Sequence, residues 1–172
     1  MEKSANIFRF KRFDVINVRS AMKVNTDGVL LGALMTILPS DRRVLDIGTG
    51  TGTIALMVAQ RLMDMSSSES NFCVSERSIT PCPSGASHAE IASAVETASA
   101  ETTIHAIDID EPSATEAAEN FRNSPWSDIL YVHHTSLDDF AACLQDGISP
   151  SDRDDVATFD LICSNPPYFD KQ

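Results

Sequence analysis

The stretch Arg43-Val-Leu-Asp-Ile-Gly-Thr-Gly-Thr-Gly52, with the run Ile54 to Met63 behind it, decides the fold. Arg43 to Ile47 reads as a short strand that ends in glycines, and Ile54 to Met63 carries its apolar residues at helical spacing. A strand that turns through glycines into a helix opens a β-turn-α unit, whose backbone N–H groups lie close to any ligand seated there. Gly48, Gly50 and Gly52 are spaced G-x-G-x-G, and Thr53 replaces the last glycine that a dinucleotide fingerprint requires. An acid at the strand end, Asp46, is awkward beside a pyrophosphate and suits a cationic or amino-bearing ligand. Asp46, Gly48, Thr49, Gly50 and Gly52 are therefore candidate cofactor-binding residues.

Upstream, residues 7 to 19 alternate and read as one or two short strands. Thr26, as N-cap, with Asp27 in the first turn, starts a helix that Pro39 stops after Leu38. Its apolar residues occupy nearly every face, so burial is expected. Downstream, residues 63 to 101 hold ten serines between 66 and 100 together with Pro81 and Pro83. That is far longer than an ordinary helix-to-strand turn and reads as a disordered insertion, with a weak helix at His88 to Ala98. Thr103 to Asp108 is then a second strand, and Asp110-Glu-Pro112 opens a helix with an acidic cap and an early proline. Ile129 to His133 is a third strand, Asp138 to Gln145 a short helix, and Phe159 to Cys163 a fourth strand. The alternation predicts an α/β class, a Rossmann-like, doubly wound, mainly parallel sheet with right-handed crossovers. The expected organisation is a basic hairpin and helix over 1–38 and a partial α/β domain over 39–172, with the Ser-rich insertion at 63–101.

Composition narrows the class. At 172 residues, 42% hydrophobic and 22% charged, the chain reads as one globular domain. Its longest uncharged apolar stretch, Val29 to Leu38, is about half of what spans a bilayer, so no membrane segment is expected. The N-terminus has no apolar leader, and Cys73, Cys82, Cys143 and Cys163 show no CxxC spacing; a cytoplasmic protein with free thiols is expected. The net charge of −12 argues against a polyanionic partner, yet the first 23 residues are +4 and the rest −16. The basic arm interleaves Lys11, Arg12 and Lys23 with Ile7, Phe8, Phe10 and Phe13. It fits a solvated amphipathic hairpin and a nucleic-acid face equally well.

Two further features carry chemistry. Asp108, ending the second strand, has the place and the acceptors to take two ribose hydroxyls, by analogy with nucleotide folds. Asn165-Pro-Pro-Tyr168 follows the fourth strand, where open α/β sheets bind ligands, although an Asn-Pro pair also simply ends strands. His133-His134 lack a third ligand at suitable spacing, and no metal is expected.

The set Asp46 to Gly52, Ile107-Asp108-Ile109-Asp110 and Ser164 to Tyr168 resembles the class I S-adenosylmethionine-dependent methyltransferases that modify amino nitrogens. Phe10-Lys-Arg-Phe13, Ala21 to Ala33, Asn120 to Trp126 and Asn165 to Phe169 extend the resemblance to the tRNA(Val) adenine-N6 methyltransferase family, across the chain except 63–101. The resemblance implies S-adenosylmethionine as cofactor, over Gly48 to Gly52, with Asp108 on its ribose, Ile109 beside it, and Thr26 and Asp27 near its methionine end. It implies tRNA as partner, met by Lys11, Arg12, Lys23, Pro167 and Tyr168. The Asn165 side-chain oxygen and the Pro166 carbonyl would take the two amino hydrogens of an extruded adenine, while Tyr168 stacks on the base. Where related enzymes carry an acid after the third strand, this chain has Ser136 and Leu137. The family's sheet has three further strands, so the resemblance implies either a fragment or a sheet that partners complete, with an open fourth-strand edge prone to self-association. Methylation of a protein glutamine amide or a guanine amine, and an inactive cofactor-binding fragment, remain open beside the tRNA reading.

Overall fold

The structure, a computed structural model, describes residues 6–75, 102–146 and 158–166. It opens with a hairpin, β1 (Ile7–Arg9) and β2 (Asp14–Ile16), followed by helix α1 (Thr26–Leu34). Strand β3 (Arg43–Ile47) leads into α2 (Thr53–Ser75), and β4 (Thr103–Asp108) into α3 (Glu111–Arg122). A short 3-10 turn, Ser127–Ile129, precedes β5 (Leu130–His134), then α4 (Leu137–Asp146) and β6 (Leu161–Ser164).

The four strands β3 to β6 form one parallel sheet in the order β5-β4-β3-β6, the α/β class expected from the alternation. Central β3 is buried along its middle, Val44 and Leu45 packing on opposite faces. On one side Val44, Ile104 and Ala106 meet α2 through Ala55, Val58 and Leu62, together with Phe121 of α3. On the other, Leu45 and Ile107 meet Phe140 of α4. Among the described residues, β6 pairs with β3 alone, and Ile162 on it is exposed.

The hairpin is seated on this body. Phe13 and Val15 are buried in the same cluster as the sheet residues, with Phe13 edge-on to Trp126 at 5.6 Å and Phe10 stacked on Phe13 at 4.5 Å. Half of the aromatic interleaving is therefore core; Ile7 and Phe8 remain exposed.

Two helices differ from expectation. Asn25, not Thr26, caps α1, its side chain accepting the Gly28 N–H, and the helix ends at Leu34, four residues before the expected stop. Nor is α1 buried all round: only Gly28 and Gly32 are, while Leu30 and Leu34 are exposed, as is Leu38 beyond its end. The small face is what packs, since a Cβ at Gly32 would lie 2.7 Å from the Met57 Sδ on α2. Helix α2 continues past Met63 to Ser75, so the break in regular structure expected at 63 does not begin there. The weak helix expected over 88–98 lies outside the described residues.

Candidate functional site

The site forms where the C-terminal ends of β3, β4 and β6 meet the strap 17–25 that joins the hairpin to α1. The turn after β3 needs left-handed backbone three times: Gly48, Gly50 and Gly52 have φ of 70°, 57° and 80°. Gly52 is also pressed against α3, where an added Cβ would sit 2.4 Å from Phe121 Cε1. Gly48 and Thr49 donate their N–H groups to the Ile107 carbonyl, tying the loop to the end of β4.

Two clefts share Met22, Gly48 and Gly50. The larger, about 370 Å³, is walled on one side by Ser20, Ala21 and Met22 and on the other by Asp108, Ile109, Ser136 and Leu137. Asp108 is half-buried, its Oδ2 accepting the Gly50 N–H at 2.8 Å and its Oδ1 the Asp110 N–H at 2.9 Å. A carboxylate has about four acceptor positions, so two remain for ligand hydroxyls. Ile109 is 75% exposed beside it, an apolar side chain with no protein cover. The smaller cleft, about 40 Å³, is lined by Lys23, Asn25, Gly28, Thr49 and Asn165. Asn165 follows β6 and faces the first turn of α1: a Cβ at Gly28 would lie 3.4 Å from its Nδ2, which also approaches the Met22 Sδ at 3.9 Å.

The structure thus brings together Gly48, Thr49, Gly50, Asp108, Ile109, Ser136, Leu137, Lys23 and Asn165. It does not bring in Asp46, which lines neither cleft. That carboxyl is fully buried, its Oδ2 accepting from Thr49 Oγ1 at 2.8 Å and its Oδ1 from Cys163 Sγ at 3.7 Å. Burial raises it to about 6 against the pull of those two hydrogen bonds, and burial beside Asp46 pushes the Cys163 thiol up. Asp46 therefore shapes the glycine turn from behind. Gly52, Thr26 and Asp27 also line neither cleft, and the latter two are exposed, with Asn25 in the place expected of them. Pro166 is exposed at the end of the described segment; Pro167 and Tyr168 lie outside it.

The basic arm is largely engaged within the chain. Arg12 forms a two-pronged pair with Asp64 at 2.5 and 2.7 Å, Arg19 pairs with Glu119 at 2.8 Å, and Lys23 donates to the Val18 carbonyl. Lys11 is exposed. Among the described residues no group of three His, Cys, Asp or Glu is placed to hold a metal, and no helix is long and apolar enough to cross a membrane.

Residues the sequence reading missed are the wall Ser20 to Met22, Asn25, Ser113 and Thr135. The buried pair behind the wall, Glu116 and Asn120, was missed too. One signal was available: Glu116 interrupts the face Ser113, Ala114, Ala117, Phe121 of an amphipathic helix, where a lone acid needs partners.

Comparison with known proteins finds relatives of this chain. A tRNA1(Val) (adenine(37)-N6)-methyltransferase of Flavobacterium psychrophilum is 38% identical over 163 residues, 95% of this chain and 49% of that protein. One from Actinobacillus succinogenes is 37% identical over 168 residues, 97% and 50%. The chain is homologous to half of each. It spans about half the length of the curated relatives it matches, and the resemblance read from its motifs is borne out over that span. No family model matches. Among solved structures, a putative O-methyltransferase from Klebsiella pneumoniae aligns at 18% identity and a TM-score of 0.48, over 83% of this chain and 44% of that one.

Proposed function

We propose that this chain carries the cofactor-binding and amine-positioning part of an S-adenosylmethionine-dependent adenine-N6 methyltransferase acting on tRNA. One observation carries the reading: Asn165, the residue fitted to hold an amine, lies in a small cleft that shares Met22, Gly48 and Gly50 with the cleft that Asp108 rims. The relatives' names support the reaction and the substrate.

The residues present fit the cofactor. The larger cleft is within the size of nucleoside-like ligand sites. Asp108 keeps acceptors for two ribose hydroxyls, exposed Ile109 offers an apolar face to a purine, and Ser136 and Leu137 close the far rim. When bound, S-adenosylmethionine supplies a methyl group on a cationic sulfur. The chain's own task is to aim a poor nucleophile, because the adenine amino lone pair is delocalised into the ring. The Asn165 side-chain oxygen and the Pro166 carbonyl accept its two hydrogens, which localises the lone pair and points it along the line of transfer. Tyr168 stacks on the extruded base. Lys11, Arg12 and Lys23 meet the RNA, Arg12 by exchanging Asp64 for a phosphate.

The pairing of Arg12 and Arg19 with carboxylates favours a second reading, transfer to a protein glutamine amide, because it engages cations that would otherwise meet phosphate; transfer to a guanine amine is a further alternative that the pairing does not favour. Incubation with methyl-labelled cofactor separates the two. Label recovered as N6-methyladenine from unmodified tRNA supports the first; label in protein or in guanine, with none in adenine, reverses the order.

A further inference from the structure

Two buried side chains of α3, neither of which lines a cleft, fasten the chain behind the wall Ser20-Ala21-Met22: Glu116 holds the strap at 18–20 and Asn120 holds the end of β2 that leads into it. Glu116 is wholly buried, and its Oε2 accepts the N–H groups of Val18 (2.7 Å) and Arg19 (2.5 Å) while its Oε1 accepts that of Ser20 (3.1 Å). Asn120, 1% exposed, takes the Ile16 N–H at 2.7 Å and donates to the carbonyls of Ile16 and Thr51 at 3.0 and 2.8 Å. A carboxylate out of water is costly unless its lone pairs are filled, so three successive amides on one acid form an interdependent clamp.

What the clamp holds is the cleft. Ser20 Oγ meets Ser113 Oγ at 3.0 Å and donates to the Met22 carbonyl. A Cβ at Gly50 would lie 3.3 Å from Ser20 Oγ and 3.7 Å from the Met22 carbonyl oxygen. Gly50 in turn donates to Asp108. A continuous path of contacts therefore runs from Glu116 through the strap to the glycine turn and the carboxylate at the cleft rim.

We propose that Glu116 is a positioning residue for cofactor binding: it holds the strap segment 18–20, and with it the wall Ser20 to Met22, closed over Gly50, while Asn120 ties Ile16, at the end of β2 just before the strap, to the turn at Thr51. The assignment rests on the cofactor reading above. It also implies reciprocity, since a ligand that needs the wall in place must itself steady the wall.

The test uses this chain with Glu116→Ala and Glu116→Gln, titrated calorimetrically with S-adenosylhomocysteine, and amide hydrogen exchange at residues 18–20. Glu116→Ala is expected to bind roughly tenfold more weakly or worse, the scale of losing charge-assisted hydrogen bonds. Its amides at 18–20 exchange faster while those of β3 and β4 keep their rates. Glu116→Gln, whose amide oxygen can serve Val18 and Arg19 as Oε2 does but sets an NH₂ against the Ser20 N–H, is expected to recover part of the loss. In the unsubstituted chain, ligand slows exchange at 18–20. Unchanged affinity in Glu116→Ala overturns the assignment, as does a loss matched by faster exchange throughout the sheet. Should Glu116→Ala not fold, unsubstituted affinity in Glu116→Gln overturns it. No uptake of S-adenosylhomocysteine by the unsubstituted chain defeats the cofactor reading itself, whereas equal affinity in the variants defeats only the positioning role.

Discussion

Asn165 and Gly52 make opposite demands on single atoms. Asn165 would act on a nitrogen as it pyramidalises, a contact stronger in the transition state than before it. Asn165→Ala should therefore leave S-adenosylhomocysteine affinity within about twofold while lowering kcat about a hundredfold in a chain with measurable transfer. Steady-state kinetics beside a separate binding titration check this, and an undiminished kcat would reduce Asn165 to Tyr168 to a strand-ending turn. Gly52 combines a φ of 80° with a Cβ position 2.4 Å from Phe121 Cε1. Gly52→Ala should cost about 2–4 kcal/mol by denaturant unfolding, the sum of left-handed strain and overpacking against a buried ring. Gly48→Ala, with nothing within 4 Å of its Cβ, should cost only the strain, about 1–2 kcal/mol. These glycines were legible because the need for positive φ is local. Glu116 and Asn120 were not: their partners lie 69 to 104 residues away, and no local pattern records who fills a buried carboxylate.

The elements read most clearly were those whose signals are self-contained. The Asp110 cap and early Pro112 fixed the start of α3, and apolar runs ending in Gly or Asp fixed β3 and β4. Helix α1 misled because Val29 to Leu38 is apolar on every side, so the sequence cannot say which face is covered. The packing of Gly32 on Met57 decides it. The sheet's two faces also set opposing titrations. Asp46 keeps its proton to about pH 6 in the fold, from 3.8 when unfolded. Its contribution is therefore full below pH 3.8 and lost as pH rises to 6, about 3 kcal/mol in all. His105 and His133, 3.0 Å apart across β4 and β5, are held below 6.5 by burial. Their contribution is full above pH 6.5 and lost on acidification. Denaturant midpoints from pH 4.5 to 7.5 should thus fall more steeply on acidification in Asp46→Asn than in the unsubstituted chain; parallel curves would place the Asp46 proton elsewhere.

Across the whole molecule the strap 17–25 links the aromatic hairpin, the glycine turn and Asn165, so the proposed base and cofactor sites would share one short segment. The chain is −12 overall while its first 23 residues are +4, so the hairpin end is where an RNA contact would meet least repulsion. The cleft over Gly48 and Gly50 is proposed to take S-adenosylmethionine with its ribose on Asp108. Calorimetric titration of the cofactor into this chain and into Asp108→Ala tests it most directly. One site per chain is expected, weakened in Asp108→Ala by about 1–3 kcal/mol, the usual scale for charge-assisted hydrogen bonds. Equal affinity in the two proteins, or no binding by the unsubstituted chain, would contradict it.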